Sequence, residues 1–274
     1  MDLLRPLSAL ALYVLIAPPL ACAQTILLDF GPTTVSATDA TVSPAHAVGA
    51  VPGSAVTWNK VLLSDIGSGV LSSTGGSTGV SINLGVESGT GSGTISYTTN
   101  PAGGSTILGT AAGATSSLYS DTKVARDGIF SGAADVALGL RIDGLTAGEY
   151  TLYFTARNTN SGLTSNRGER MYASTGTSSD TFDFSAVSNF SSVANTNSMT
   201  DALGIFTAGV SYNTLSFTIT GGQSLFLAVD GFQSGENRGF LNSLEIVAVP
   251  EPGVPLLFGA SVAFFLFRRR AGSQ

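Results

Sequence analysis

The chain offers a single histidine for nucleophilic chemistry. His46 lies in the loop-like stretch 43–46, whereas a serine–histidine–aspartate triad needs a histidine held between a serine and a carboxylate. No glycine-x-serine-x-glycine elbow sits between a predicted strand and a predicted helix. We therefore interpret His46 as an exposed loop residue and predict no catalytic nucleophile.

Acidic residues could support two further kinds of chemistry, glycoside hydrolysis and calcium binding. Glycoside hydrolysis needs two carboxyl groups about 5–9 Å apart across a cleft, but the sequence places no two of the glutamates together: Glu87, Glu149, Glu169, Glu236 and Glu245. A structural Ca²⁺ ion takes oxygen ligands from loops between strands, and four aspartates lie near predicted strand ends or turns: Asp29, Asp121, Asp127 and Asp230. No EF-hand spacing occurs, and we predict neither a cofactor nor a defined metal site, with structural calcium kept open.

Sugar binding needs a flat aromatic side chain together with amide and charged donors for hydroxyl groups. Four short stretches supply such side chains: Trp58 with Asn59, Arg157 with Asn158, residues 166–170, and Asn237 with Arg238. We take Trp58, Asn59, Arg157, Asn158 and Arg238 as candidate glycan-binding residues. The alternatives are that Trp58 anchors the core and that the arginines are ordinary solvated surface residues.

The sequence predicts that the elements which position these residues are all strands. Alternating apolar and polar residues separated by Gly, Asn, Asp and Ser clusters predict eleven strands: 25–30, 56–63, 81–86, 94–98, 135–142, 149–157, 169–174, 181–186, 214–220, 224–230 and 242–248. Residues 201–206 could form one helical turn. Many short strands separated by such turn-forming residues predict an all-β antiparallel sandwich or jelly roll.

Three connecting segments have a distinctive composition. Residues 143–148 contain Asp-Gly and a later glycine, which suits a tight connection, and residues 220–223 predict a hairpin between the strands on either side. Residues 67–117 are rich in Gly, Ser and Thr. They predict either surface strands with long loops or a disordered insert, because such a composition buries little apolar area.

The N-terminus has the features of a secretory signal helix. Arg5 precedes an apolar stretch at 7–20, and the small residues Ala21 and Ala23 predict signal peptidase cleavage before Gln24, which makes residues 1–23 the signal peptide. Two alternatives are a retained N-terminal anchor and lipidation of Cys22. Cleavage at this position leaves no cysteine in the mature chain, which suits an exported protein that does not rely on disulfides.

The C-terminus carries three adjacent features. Val249, Pro250, Glu251 and Pro252 come first, followed by the apolar stretch 253–267 and then by Arg268, Arg269 and Arg270. Fifteen residues rise about 22 Å as a helix, which is short of a hydrocarbon core of about 30 Å. The arginines predict that the tail faces the cytoplasm, so that the preceding domain lies outside the inner membrane.

This combination resembles the PEP-CTERM sorting signal of Gram-negative bacteria. The resemblance covers 249–270 and implies that an exosortase, a membrane-embedded cysteine transpeptidase, recognises the tail and cuts near the motif. It further implies a short C-terminal transmembrane helix as an intermediate, then a cell-surface or extracellular location. It assigns these residues to sorting and leaves the sorted domain, 24–248, without a function.

Charge excludes one class of partner for that domain. The chain has 12 basic and 18 acidic residues, and residues 24–249 keep 8 and 16 of them, a net charge of −8. A protein that binds phosphate backbones needs a basic surface, so we predict no nucleic-acid partner.

A second resemblance concerns the domain itself. The order of 27–31 (LLDFG), 57–59 (TWN), 149–158 (EYTLYFTARN) and 239–246 (GFLNSLEI) is similar to that of galactose-binding-like jelly rolls, which are carbohydrate-binding modules and their relatives. Together the features predict an exported non-enzymatic protein that binds exopolysaccharide. The alternatives are a structural envelope or matrix protein without a defined ligand and a secreted carbohydrate-active enzyme.

Overall fold

The computed structural model describes residues 24–31, 57–105, 128–156, 168–193, 208–210, 212–232 and 237–250. They form fifteen strands within one compact unit, Ala23–Glu251. In chain order these are β1 (Thr25–Phe30), β2 (Asn59–Val61), β3 (Ser81–Glu87), β4 (Thr94–Ser96), β5 (Gly103–Ser105), β6 (Gly128–Phe130), β7 (Leu138–Asp143), β8 (Gly148–Thr155), β9 (Glu169–Gly176), β10 (Thr181–Asp183), β11 (Phe190–Val193), β12 (Asn213–Ile219), β13 (Ser224–Gly231), β14 (Phe240–Leu241) and β15 (Ser243–Ala248).

Two larger sheets and one small sheet build the domain. A five-stranded sheet has the order β12-β8-β15-β1-β2, a seven-stranded sheet has the order β10-β4-β3-β7-β13-β9-β11, and a three-stranded sheet has the order β14-β6-β5. Every strand pair is antiparallel except β1 with β2. The predicted all-β antiparallel sandwich is therefore confirmed. Within the described ranges no helix is both long and apolar enough to cross a bilayer.

The main core lies between the inner faces of the two larger sheets. Alternate residues point inward, as the period of two requires: Leu152 and Phe154 of β8 and Leu244 and Ile246 of β15 pack into the same apolar cluster as Leu140 of β7. All five are 0% exposed. The alternation seen in the sequence thus reflects one buried and one outward face on each strand.

One connection between strands differs from its prediction. Residues 220–223 form a turn, but β12 before it belongs to the five-stranded sheet and β13 after it to the seven-stranded sheet, so the predicted hairpin is wrong. Residues 144–147 likewise link β7 in one sheet to β8 in the other. Adjacent strands joined by short turns here face each other across the core, because both carry an apolar face that must be buried.

The Gly/Ser/Thr-rich stretch contributes strands as far as it is described. Its residues 67–105 contain β3, β4 and β5, and Ile82 of β3 also bridges Ile66. Residues 106–117, the predicted helical turn at 201–206, His46, the signal helix and the segment 253–267 all lie outside the described residues.

A second apolar layer covers part of the outer face of the seven-stranded sheet. Strands β4 and β10 pair with each other and fold over this face, and we call them the β4–β10 arm. Ile95 of the arm joins Phe226 and Ala228, which point outward from β13, in a separate buried cluster. The arm leaves the far end of the face, toward β9 and β11, uncovered by these residues.

Candidate functional site

A cleft of about 310 Å³ opens beside the β4–β10 arm on the outer face of the seven-stranded sheet. A volume of this order suits a small polar ligand or one unit of a longer chain. Its lining combines carboxylates, aromatic rings, glycines and small polar groups: Glu87, Thr90, Gly91, Gly93, Asp135, Tyr172, Phe184, Ser185, Asp230, Gly231 and Asn237.

Glu87, the last residue of β3, fastens two walls of the cleft. Its side chain is buried, one carboxylate oxygen accepts hydrogen bonds from Gly93 N at 2.6 Å and Ser92 Oγ at 3.4 Å, and the other accepts one from Ala137 N at 3.1 Å. A buried carboxylate needs such donors to offset its lost hydration. Glu87 therefore holds the turn between β3 and β4 against the segment that leads into β7.

Gly93 allows that turn to pack closely on the opposite wall. Its φ is +69°, a region that side chains disfavour, and a Cβ atom there would lie 2.8 Å from Ser185 Cβ. The turn and the loop after β10 consequently meet without a side chain between them.

Asp230 is the most perturbed acid in the cleft. The pKa of its carboxyl group is raised to about 6, mainly by burial and also by the charges of Glu87 and Asp135, while Arg170 and a hydrogen bond from Gly231 N–H act in the opposite direction. Asp135 is exposed and has a φ of +54°, the one positive φ of a non-glycine residue in the described ranges. Asp230 therefore remains largely ionised at neutral pH, and its acidic surroundings favour the binding of a cation.

Aromatic rings continue from the cleft toward the edge of the sheet. The Tyr172 ring lines the cleft, and its centroid lies 5.2 Å from that of Phe184 and 5.6 Å from that of Phe190. Phe190 of β11 and Phe232, just after β13, are 46% and 37% exposed. Single exposed apolar residues are common, but two phenyl rings beside one cleft form a local apolar surface.

The two exposed rings enclose a guanidinium group. The Arg170 Cζ atom lies 4.7 Å from the ring centroid of Phe190 and 4.9 Å from that of Phe232, and Arg170 Nη1 donates to Tyr172 Oη at 3.4 Å. We call Phe190, Arg170 and Phe232 the aromatic platform. It combines flat apolar surface with hydrogen-bond donors, and Tyr172 connects it to the cleft.

One residue proposed from the sequence has a different role. Asn59 is buried in β2; its Nδ2 atom donates to Leu27 O at 3.1 Å and to Leu71 O at 2.7 Å, and its Oδ1 atom accepts from Leu71 N at 2.7 Å. All these partners are backbone groups. The amide of Asn59 therefore holds neighbouring segments together, and its part in glycan binding stays a prediction.

The other proposed residues lie in separate places. Trp58 is half-buried at the start of β2, and its Nε1 atom is buried without a hydrogen-bond partner. Arg238 pairs with Val136 through a β-bridge, and its Cζ atom lies 5.5 Å from the Phe130 ring centroid. Its neighbour Asn237 lines the cleft. Arg157 and Asn158 lie outside the described residues.

The other described acids considered for catalysis and calcium lie apart from the cleft lining. Glu169 is buried and accepts a hydrogen bond from Phe240 N at 3.3 Å, and Glu149 is exposed on the five-stranded sheet. Asp29 and Asp230 lie in different sheets, whereas Asp121, Asp127 and Glu236 fall outside the described ranges. Across the described positions, no three acidic, histidine or cysteine side chains come together as a metal site.

The sequence analysis missed the main residues of this site. Phe190, Phe232 and Tyr172 were indistinguishable from core aromatics, because a sequence does not show which face of a strand is covered. One feature of the sequence does indicate the site. The order Asp230-Gly231-Phe232 places a charged and an aromatic residue together at the end of a strongly apolar strand, where the chain passes out of the core.

The start of the C-terminal motif is accessible. Val249 follows β15 directly, is 42% exposed, and donates its N–H to Glu149 O at 2.8 Å. Pro250 is exposed as well, while Glu251, Pro252 and Arg268–Arg270 lie outside the described residues, as do Ala21 and Ala23. The last described strand thus ends just before the motif.

Residues 248–270 match the family model described as the PEP-CTERM protein-sorting motif. This agrees with the resemblance seen in the sequence and indicates an exported protein that is sorted by an exosortase. A comparison with curated proteins gives no match.

Three solved structures are similar to parts of this chain. The CBM35 from Cellvibrio japonicus Abf62 has 15% identity and a TM-score of 0.25, with 61% of this chain and 93% of that chain covered. TmCBM61, solved with β-1,4-galactotriose, has 9% identity and a TM-score of 0.26, covering 48% and 79%. Xyl-CBM35, solved with a glucuronic acid-containing disaccharide, has 17% identity and a TM-score of 0.24, covering 57% and 92%. Because these TM-scores are low, the function has to be inferred from the chain's own cleft and platform.

Proposed function

We propose that the exported domain binds a polysaccharide, without turning it over, through the cleft and the aromatic platform. The observation that carries this proposal is the pair of exposed phenyl rings, Phe190 and Phe232, next to a polar cleft. Sugar rings present apolar C–H faces and hydroxyl edges, so they are matched by flat aromatic surface beside hydrogen-bonding groups. Sorting to the cell exterior would place the domain where exopolysaccharide is found.

The arrangement favours binding over hydrolysis. Glu87 already accepts three hydrogen bonds and fixes two walls, so it is occupied as a structural group. A general acid–base pair needs two carboxyl groups free to exchange protons with the substrate. We therefore assign Asp230 and Asp135 to ligand recognition.

The test is a binding screen of the full-length chain, purified in detergent, against an array of bacterial and plant polysaccharides. For a polysaccharide that binds, the double variant Phe190→Ala/Phe232→Ala should weaken binding by about tenfold or more, since each aromatic contact contributes about 0.5–1.5 kcal/mol. Tyr153→Ala is the matched control, because Tyr153 is half-buried on the outer face of the other sheet.

Two outcomes would contradict the proposal. If no polysaccharide binds, a structural envelope or matrix protein becomes the better interpretation. If reducing ends are released and Asp230→Asn stops their release, the domain is a carbohydrate-active enzyme instead.

A further inference from the structure

The charge of the cleft restricts which sugars it can accept. Among the residues that the structure describes, three lining residues carry carboxylates, namely Glu87, Asp135 and Asp230, and no lining residue is basic. Arg170 is the cation whose charge lowers the pKa of Asp230, and its guanidinium group lies between two phenyl rings of the platform. The described lining of the cleft is therefore negative, and the adjoining platform carries one positive group, that of Arg170.

The carboxylates are arranged for a ligand larger than a metal ion. Among the residues that the structure describes, no three acidic side chains converge on one point. Glu87 uses both carboxylate oxygens to hold two walls of the cleft together, whereas Asp230 accepts one hydrogen bond, from Gly231 N–H. Asp230 thus keeps carboxylate acceptor capacity that a donor in the cleft can use.

We propose, building on the proposed function, that the cleft selects an amino sugar whose free ammonium group pairs with Asp230 while the neighbouring sugar of the same chain lies on the aromatic platform. The argument is charge complementarity combined with exposed aromatic surface. An ammonium group is a compact cation with three donors, and hydrogen bonds between charged groups are about twice as strong as neutral ones.

The other classes of sugar fit the cleft less well. A uronic acid would bring a fourth carboxylate next to Glu87, Asp135 and Asp230, and like charges in a partly buried site repel strongly. A neutral or N-acetylated sugar avoids this repulsion but supplies no positive charge to Asp230 beyond that of Arg170. The pKa of Asp230 is raised because its surroundings disfavour the ionised carboxylate, and a bound ammonium group would stabilise that ionised form.

Titration calorimetry with three tetrasaccharides of defined charge tests the inference. The probes are β-1,4-linked glucosamine, its fully N-acetylated counterpart and tetragalacturonate, each added to the full-length chain at pH 7. We expect the glucosamine tetramer to bind about tenfold more tightly than the N-acetylated tetramer, since a charged hydrogen bond contributes about 1.5–3 kcal/mol. Tetragalacturonate should bind weakest of the three.

Asp230→Asn should reduce that preference to about threefold or less while leaving the N-acetylated tetramer bound as before. Glu149→Gln is the charge-matched control, because Glu149 is exposed on β8 of the other sheet and does not line the cleft, and it should keep the preference. Melting curves of both variants establish that they are folded.

The outcomes separate this inference from the proposed function. Equal binding of the amine and N-acetyl forms, or tighter binding of tetragalacturonate, overturns the amino-sugar assignment but leaves polysaccharide binding intact. An equal loss of preference in Glu149→Gln and Asp230→Asn would mean that the general acidity of the domain attracts the amine, which also overturns it. No binding of any tetrasaccharide or polysaccharide overturns both.

Discussion

Ile95 of the β4–β10 arm packs directly on the backbone of Gly139 in β7, in the space that a side chain would otherwise fill. Gly85 of β3, which is paired with Gly139, receives the same arm: a Cβ atom there would lie 2.9 Å from Ile95 Cγ2 and 2.6 Å from Ser96 O. Two facing glycines thus form a shallow channel across the sheet. The channel brings the arm, and with it one wall of the cleft, onto the outer face.

Filling this channel should destabilise the domain. Gly139→Ala places a methyl group against Ile95, and overpacking of this kind typically costs about 1–3 kcal/mol. We expect a lower midpoint in urea denaturation. Gly221→Ala is the control, since nothing lies within 4 Å of a Cβ atom there, and an equal effect of the two substitutions would contradict the packing explanation.

The pH dependence of stability should report on Asp230. Because its pKa is about 6 in the folded state and 3.8 in the reference state, the folded protein binds more protons between these values, and stability falls as the pH rises from about 4 to 6. Asp230→Asn removes this penalty and should raise the melting temperature at pH 7 by a few degrees, about 1 kcal/mol after allowance for solvent screening. Identical pH profiles of wild type and variant would rule out the assignment.

Binding of the glucosamine tetramer should have the opposite pH dependence. Protonation of Asp230 below about pH 6 removes the counter-charge for the ammonium group. Glu87, Asp135 and Arg170 are the other charged groups that act on this carboxyl group. Affinity should therefore fall between pH 7 and pH 5 in the wild type and stay flat in Asp230→Asn, as measured by calorimetry at each pH.

Arg170 should act through its planar shape as well as its charge. Arg170→Lys keeps the charge but loses the guanidinium plane between Phe190 and Phe232. We expect polysaccharide affinity to drop about fivefold, in line with about 1 kcal/mol for such a stack. In contrast, Arg141→Lys on the same face disturbs ion pairs with Asp143 and Asp180 at 3.1 and 3.0 Å and should lower stability more than affinity.

Asn59 should matter for folding and not for binding. Asn59→Ala removes three hydrogen bonds to backbone groups of Leu27 and Leu71 and leaves those groups buried or half-buried without a partner. We expect a loss of about 3 kcal/mol in the free energy of unfolding. Polysaccharide affinity of the folded fraction should be unchanged; a selective loss of affinity would restore Asn59 to the binding site.

Sorting should depend on the motif that follows β15. Replacing Pro250, Glu251 and Pro252 with alanine should leave an unprocessed precursor in the membrane fraction, because the exosortase would lack its recognition sequence. Intact mass and fractionation of the native cells give the readout, with Thr220→Ala in an exposed turn as the control. Normal processing of the triple variant would contradict exosortase recognition.

Strand positions were predictable because their signal is local. Thr25–Phe30 was predicted with the bounds the structure shows, and Glu149–Arg157 overlaps β8, since alternation and β-branched residues are properties of short windows. Strand pairing was less predictable. The turn at 220–223 looks like that of a hairpin, and only the packing of two apolar faces against each other decides that it joins two sheets.

The cleft was harder still to foresee. Asp230, Glu87 and Asp135 are far apart in sequence, and the pairing of β3 with β7 and of β7 with β13 brings them to one place. Phe190 and Phe232 are exposed because the β4–β10 arm covers a different part of the face. Both facts depend on long-range pairing, which no local pattern contains, whereas the sorting motif was recognisable because it is linear.

The position of β15 has a mechanical consequence. This last strand lies in the middle of the five-stranded sheet, hydrogen-bonded to β1 on one side and β8 on the other, and Ala248 N also donates to Gln24 O. A pull on the tail beyond Val249 would act along β15 and load both ladders in shear at once. A load on the tail would therefore act on a central strand of the sheet, which neighbouring strands hold on both sides.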